Sequence, residues 1–318
     1  MKIHYSLFLL CFCFVIGVNA QENLVTLTSE RNTDNSFSIY AESMVYGEYT
    51  LKITFPTLTG YKANNVYNDM AVVTITRGKR EVVKLIPDRT APAFSFFYRW
   101  NYYPGVALRR APADTNFQYL LPGTKENVIR ISRVSNIGET FKLKNPNEYS
   151  GTGFVYGAGD TICAARAGTV FSCNDEVKTG EKGTLIFTSK RNHINIQQKD
   201  GSLARYDMRA PIKLLVTPGD NVIPGQPIAV FNTENEQHYE VMFSVSYLDE
   251  KAVMVNTTNL VSTPPPVYYH FLSPVFCIGD DGQTSNLQII NQTFKIGYPK
   301  ELVGTELSKK ERKKLGLQ

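Results

Sequence analysis

The segment Glu236-Gln-His238-Tyr-Glu240 sets one imidazole between two carboxylates, each two residues away. On an extended backbone all three project from one face. Imidazole nitrogen and carboxylate oxygen are both zinc ligands, and Asp207 in Ala204-Arg-Tyr-Asp-Met-Arg209 could join them. A set of three protein ligands with an open fourth position would acidify a bound water and polarise a carbonyl. A metal site also needs matched geometry and outer hydrogen-bond partners, which residue types do not supply. On residue types alone, therefore, no metal is expected. His193, in Asn192-His-Ile-Asn-Ile196, reads as a strand surface residue.

These residues have to be held by strands. From Leu24 to about Tyr119, β-branched and aromatic runs (Phe37 to Ala41, Tyr49 to Phe55, Ala71 to Ile75, Val82 to Leu85, Phe94 to Tyr103) alternate with turn clusters such as Asn64-Asn65 and Arg77-Gly-Lys79. Short strands at this spacing without a helical period predict a β-sandwich of Ig-like size. Phe94, Phe96, Tyr98, Trp100 and Tyr102 share one strand face. We expect that stripe in a core or a seam between domains, since aromatics dominate such packing. A second β-rich domain follows Tyr119-Leu-Leu-Pro-Gly123, and Ser262-Thr-Pro-Pro-Pro266 is a stiff extended joint after it. Two more strands are expected between Phe271 and Tyr298, then a short basic helix from about Pro299 to Lys314.

The first twenty residues carry Lys2, an apolar run from Leu7 to Val18 and the small-residue exit Val18-Asn19-Ala20, which reads as a signal peptide cleaved after Ala20. The expected division is therefore 1–20 signal peptide, 21–122 sandwich, 123–250 second β domain and 251–318 C-terminal strands and helix. The mature protein is expected in an exported compartment, with no transmembrane anchor because no second long apolar run follows. Cleavage removes one Lys and lowers the formal charge from +5 to +4. Cys163, Cys173 and Cys277 would remain, an odd number; Cys163 and Cys173 flank what reads as a hairpin turn at Arg166-Ala167-Gly168 and are expected to stay unbridged.

Two segments, Gly159-Asp-Thr-Ile-Cys-Ala-Ala-Arg-Ala-Gly-Thr-Val-Phe171 and Thr217-Pro-Gly-Asp-Asn-Val-Ile-Pro-Gly-Gln-Pro-Ile-Ala-Val230, resemble the core of the lysostaphin/LytM-like zinc metallopeptidases. That resemblance implies an all-β protein, with a lysostaphin-like sheet core (duplicated hybrid motif, or barrel-sandwich hybrid) behind the Ig-like sandwich. Active members hold zinc through an early His and Asp and the second His of a late His-x-His, assisted by two further His. Matched residue by residue, Leu143 stands at the early His, Gly153 at the Asp, Met208 at a helper His and Glu236 at the first His of the pair. His238, in His238-Tyr-Glu-Val241, is the one retained ligand. A second register puts Glu240 and Met242 at the last two His positions. The resemblance thus implies a degenerate exported bacterial member with no catalytic residues, a groove around Tyr206, His238 and Glu240, and peptidoglycan peptides or an envelope protein as partner, with no role for nucleic acid. The rivals are an active zinc endopeptidase rebuilt around His238 and a purely structural envelope component. Pro218-Gly-Asp-Asn-Val-Ile-Pro-Gly-Gln226 also occurs in lipoyl and biotinyl carriers, but the Met-Lys step of a carrier is missing here, and the glycines and prolines are left with a turn role.

Overall fold

The computed structural model describes residues 24–107, 113–136, 149–177, 191–232, 238–255, 268–285, 287 and 290–317. The expected signal peptide, Leu143, Glu236 and the Pro264–Pro266 joint lie outside the described residues. The chain is all-β.

Seven strands form the first body: β1 (Val25–Arg31), β2 (Phe37–Ser43), β3 (Tyr49–Thr59), β4 (Tyr61–Ala63), β5 (Met70–Ile75), β6 (Gly78–Pro87) and β7 (Ser95–Pro104). They make two sheets, ordered β1-β2-β6-β4 and β5-β3-β7. Alternation directs Ile39 and Ala41 of β2, Leu51, Ile53 and Phe55 of β3 and Val83 and Leu85 of β6 into the core between them. Phe96, Tyr98 and Tyr102 of β7 pack against this core as expected, with Phe37 and Phe96 meeting edge-on at 5.0 Å. Two residues of the stripe do not: Phe94 is 49 % and Trp100 39 % exposed.

The second body contains β8 (Gln118–Leu120), β9 (Val128–Asn136), β10 (Ser150–Tyr156), β11 (Thr161–Cys163), β12 (Gly168–Asn174), β13 (Asn192–Gln197), β14 (Leu203–Met208), β15 (Ile212–Leu214), β16 (Asn221–Val222), β17 (Pro227–Phe231) and β18 (Tyr239–Leu248). Next come the helix α1 (Glu250–Met254), the strands β19 (Tyr269–Leu272), β20 (Val275–Ile278), β21 (Gln283–Ser285) and β22 (Thr293–Lys295), and the helices α2 (Lys300–Gly304) and α3 (Lys309–Lys314). One large sheet runs β16-β12-β13-β14-β18-β10-β9-β22, with β19 also on β18. Two small sheets, β11-β17-β15 and β21-β20-β8, accompany it. Phe154, Tyr206, Phe243, Phe276 and Tyr119 interlock by ring contacts of 4.9 to 6.3 Å in a shared core.

Several expectations are corrected. The boundary placed after residue 122 falls earlier, because β8 pairs with β20 and Tyr119 and Leu121 are buried in the second core. Residues 251–318 are integral to this body: β19 extends β18, β20 lies parallel to β8, and β22 completes the edge at β9. Four strands stand where two were expected. The single C-terminal helix is two, the second restarted by a capping box in which Ser308 N–H donates to Glu311 Oε2 (2.7 Å) and Glu311 N–H to Ser308 Oγ (3.3 Å). Arg166-Ala-Gly168 is no hairpin, since β11 pairs with β17 and β12 with β13 and β16. The chain passes there from one sheet to another, leaving Cys163 and Cys173 in different sheets, and both are free thiols, as is Cys277. The turn reading holds at Gly219 and Gly225, whose φ values of 102° and 80° favour glycine.

The bodies share a seam. Phe171 of β12 packs into the sandwich core against Tyr49, and Gln197 of β13 both donates to and accepts from the Glu48 backbone. On the outer face of β3, Lys52 is 2 % exposed and donates to Val255 O (2.6 Å) just past α1; burial lowers its pKa.

Candidate binding cleft

The large sheet has one face on the core and one outside it, and strand parity sorts the candidates between them. On β14, Ala204, Tyr206 and Met208 belong to the core, so Arg205 and Asp207 face the other way. On β18, Tyr239, Val241 and Phe243 are core, so Glu240 and Met242 face out. Register aligns the outward set: Gly153 lies opposite Met242, Met242 opposite Asp207, and Asp207 opposite His193. Here the chain forms a cleft of about 360 Å³ lined by Arg133, Arg191, Asp207, Arg209, His238 and Glu240, among others.

His238 and Glu240 line this cleft, and Tyr206 does not. Tyr206 is 1 % exposed, and its hydroxyl accepts from the Ala165 N–H at 2.8 Å. That is a correction to the expected groove; the aromatic ring followed the apolar side of its strand. Met208 touches the cleft but is 1 % exposed and belongs to the core.

The Gly153 position is filled by its neighbours. A Cβ added there would collide with Ser132 Oγ, stand 2.8 Å from Glu240 Oε1 and 3.0 Å from Arg133 Cγ. Those side chains are bonded to one another: Ser132 Oγ donates to Glu240 Oε1 at 2.5 Å, and Arg133 Nη2 donates to Glu240 Oε2 at 2.9 Å. The other carboxylate is also engaged, Asp207 Oδ2 accepting from Arg205 Nε at 2.7 Å. Its second oxygen, Oδ1, is buried and has no hydrogen-bond partner among the described residues. Burial and then the Arg205 charge lower the His193 pKa, and burial followed by the Asp207 charge raises that of Tyr149.

Zinc does not fit this arrangement. Among the described residues no three His, Cys, Asp or Glu side chains are grouped to hold a metal. Glu240 and Asp207 already balance guanidinium charges, and Arg133, Arg191 and Arg209 in the lining would repel a dication. The arrangement suits an anionic or polar ligand. Sequence reasoning missed the arginines. A signal was available: Arg191-Asn-His193 and Asp207-Met-Arg209 place an arginine two residues from each member of the His193–Asp207 pair.

No family model and no curated protein matches the chain. Among solved structures it is similar to a candidate glycyl-glycine endopeptidase lytM from Ruminococcus gnavus ATCC 29149, at 14 % identity and a TM-score of 0.26, covering 48 % of this chain. The chain spans 58 % of that protein's length. It is also similar to a zinc-containing peptidase from Vibrio cholerae (14 % identity, TM-score 0.23, 70 % of this chain and 75 % of that one). A third likeness is to Csd3 of Helicobacter pylori (12 % identity, TM-score 0.27, 78 % and 76 %). The residues of the cleft, and not these likenesses, carry the functional reading.

Proposed function

We propose that the chain is an exported cell-envelope protein whose second body retains a peptidase-like groove and uses it to bind rather than to cut, the occupant being a peptidoglycan peptide or an envelope protein. The observation that carries this is the Gly153 position. By the sequence resemblance, Gly153 stands where active members carry an acidic zinc ligand, and a side chain there would meet the Ser132–Glu240–Arg133 network. Hydrolysis by this family's route needs a metal-activated water, and the outward residues of β14 and β18 spend their carboxylates on arginines instead. Strands on a rigid sheet still present a lined cleft, which suffices for binding.

The test is to incubate the mature protein with insoluble peptidoglycan in the presence of zinc, then to assay the pellet for protein and the supernatant for released peptides. Retention in the pellet with no released fragments is expected. Zinc-dependent release overturns the non-catalytic reading, and loss from the pellet at low salt moves the occupant from wall to protein partner.

A further inference from the structure

We propose that the cleft recognises the free carboxylate end of a peptide, held by Arg191 and Arg209, with the N–H beside it donated to Asp207; this rests on the binding reading above and names the chemistry of its ligand. The β13–β14 ladder pairs Asn192 with Met208 and His193 with Asp207. Arg191 and Arg209 come one residue beyond the Asn192–Met208 pair, where β13 begins and β14 ends. Both line the cleft. Like charges brought to one cleft repel, so two guanidiniums at the same ladder end favour an anion between them.

Among the described residues the chain's own anions do not supply it. Glu240 is taken by Arg133 and Ser132, and Asp207 Oδ2 by Arg205. Among the described residues neither Arg191 nor Arg209 has an ion pair. Guanidinium offers paired N–H groups that match a carboxylate. The second observation is Asp207 Oδ1. The residue is 9 % exposed, lines the cleft, and leaves this oxygen buried with no donor among the described residues. An unsatisfied buried acceptor is unfavourable until something donates to it. Asp207 lies two residues from Arg209 in the chain and both line the cleft, so a ligand carrying its acceptor and its donor side by side meets both needs. A peptide's last residue does so, with its carboxylate beside its own N–H. The cleft volume of about 360 Å³ sits at the small end of ligand pockets, which fits a chain end rather than a long segment.

The experiment is isothermal titration of the mature protein with N-acetyl-trialanine as the free acid and as the C-terminal amide. The free acid is expected to bind at least about tenfold more tightly, the advantage of charge-assisted pairing. Arg191→Gln with Arg209→Gln should remove that difference, while Asp207→Asn should weaken both peptides and keep the preference. Equal binding of acid and amide by the native protein, binding of neither, or a preference that survives the double arginine substitution overturns the proposal. Zinc-dependent cleavage in the peptidoglycan assay would overturn the non-catalytic reading separately, leaving the acid-over-amide comparison intact.

Discussion

Two arginine clusters sit in the second body, and they are built on opposite terms. Arg166 is 3 % exposed, its Nε and Nη2 donating to Glu306 (2.9 and 2.7 Å) and its Nη1 contacting Asp200, Gln198 and the Tyr119 hydroxyl. Its guanidinium also lies 3.5 Å above the Phe117 ring. Arg191 and Arg209 have no such acid partners among the described residues and stand at a cleft. A cation bonded through all three of its nitrogens holds the chain together; here it ties the C-terminal helices, through Glu306, to the loop that joins two sheets. A cation left without an anion at a concave surface is available to a ligand. The same side chain thus marks architecture in one place and recognition in the other, and partner count separates them.

The largest expected effect falls on the closed cluster. Arg166→Met leaves Asp200 and Glu306, with side chains 15 % and 11 % exposed, without their counter-charge. Breaking a buried pair from one side costs about 3–5 kcal/mol, read as a lower urea midpoint. A pH signature accompanies it. Burial pushes the Asp200 carboxyl up, but Arg166 and the hydrogen bonds from Ser202 outweigh it and hold the pKa below 3.8. A depressed acid contributes stability that is present above its unfolded value and is lost as pH falls through the folded one. Native protein should therefore lose stability below about pH 4 by this route, and in Arg166→Met that share of the acid sensitivity should be gone. An unchanged acid limb would mean that Arg166 does not set the Asp200 pKa.

Next in size is a carboxylate placed at Gly153, where the sequence resemblance implies an acidic zinc ligand in active peptidases. Gly153→Asp drives a Cβ into Ser132 and Glu240 and brings a second carboxylate beside Glu240. Overpacking of this kind costs about 1–3 kcal/mol, measured as a lower melting temperature. No zinc should be gained, even with Met208→His beside it, since Met208 is in the core. Stoichiometric zinc by elemental analysis would show that the cleft is only one substitution from a metal site, and would erase the contrast between the open arginines and a catalytic centre.

The strands of the sandwich were legible because each carries its own alternation: Leu51, Ile53 and Phe55 point inward wherever β3 is placed. The cleft was legible only in part. His238 and Glu240 share a face by simple parity, whereas Tyr206 was misjudged because parity fixes which residues go together and not which side meets the core. Arg166 was misread as a turn residue because its neighbours are small, and because the pairing of β11 with β17 connects residues that are distant in sequence. Arg191 and Arg209 came together only when the pairing of β13 with β14 brought the two strand ends to one cleft. Long-range pairing is what a local pattern does not contain.

The smallest effect is the most discriminating. If Arg191 and Arg209 are held at one cleft without a counter-ion, removing both charges should not destabilise the free protein. Relief of repulsion between neighbouring like charges is worth at most about 0.2–1 kcal/mol, so Arg191→Gln with Arg209→Gln is expected to match or slightly exceed the native urea midpoint at low salt. Added salt should narrow that gap by screening the native pair. A clear loss of stability would instead place the two arginines with Arg166, as structural donors with partners of their own, and the difference between the closed and the open cluster would collapse. A small gain in the free protein, paired with lost preference for a carboxylate-ended peptide, would fix the cleft as a site that holds unfavourable charge until its ligand arrives.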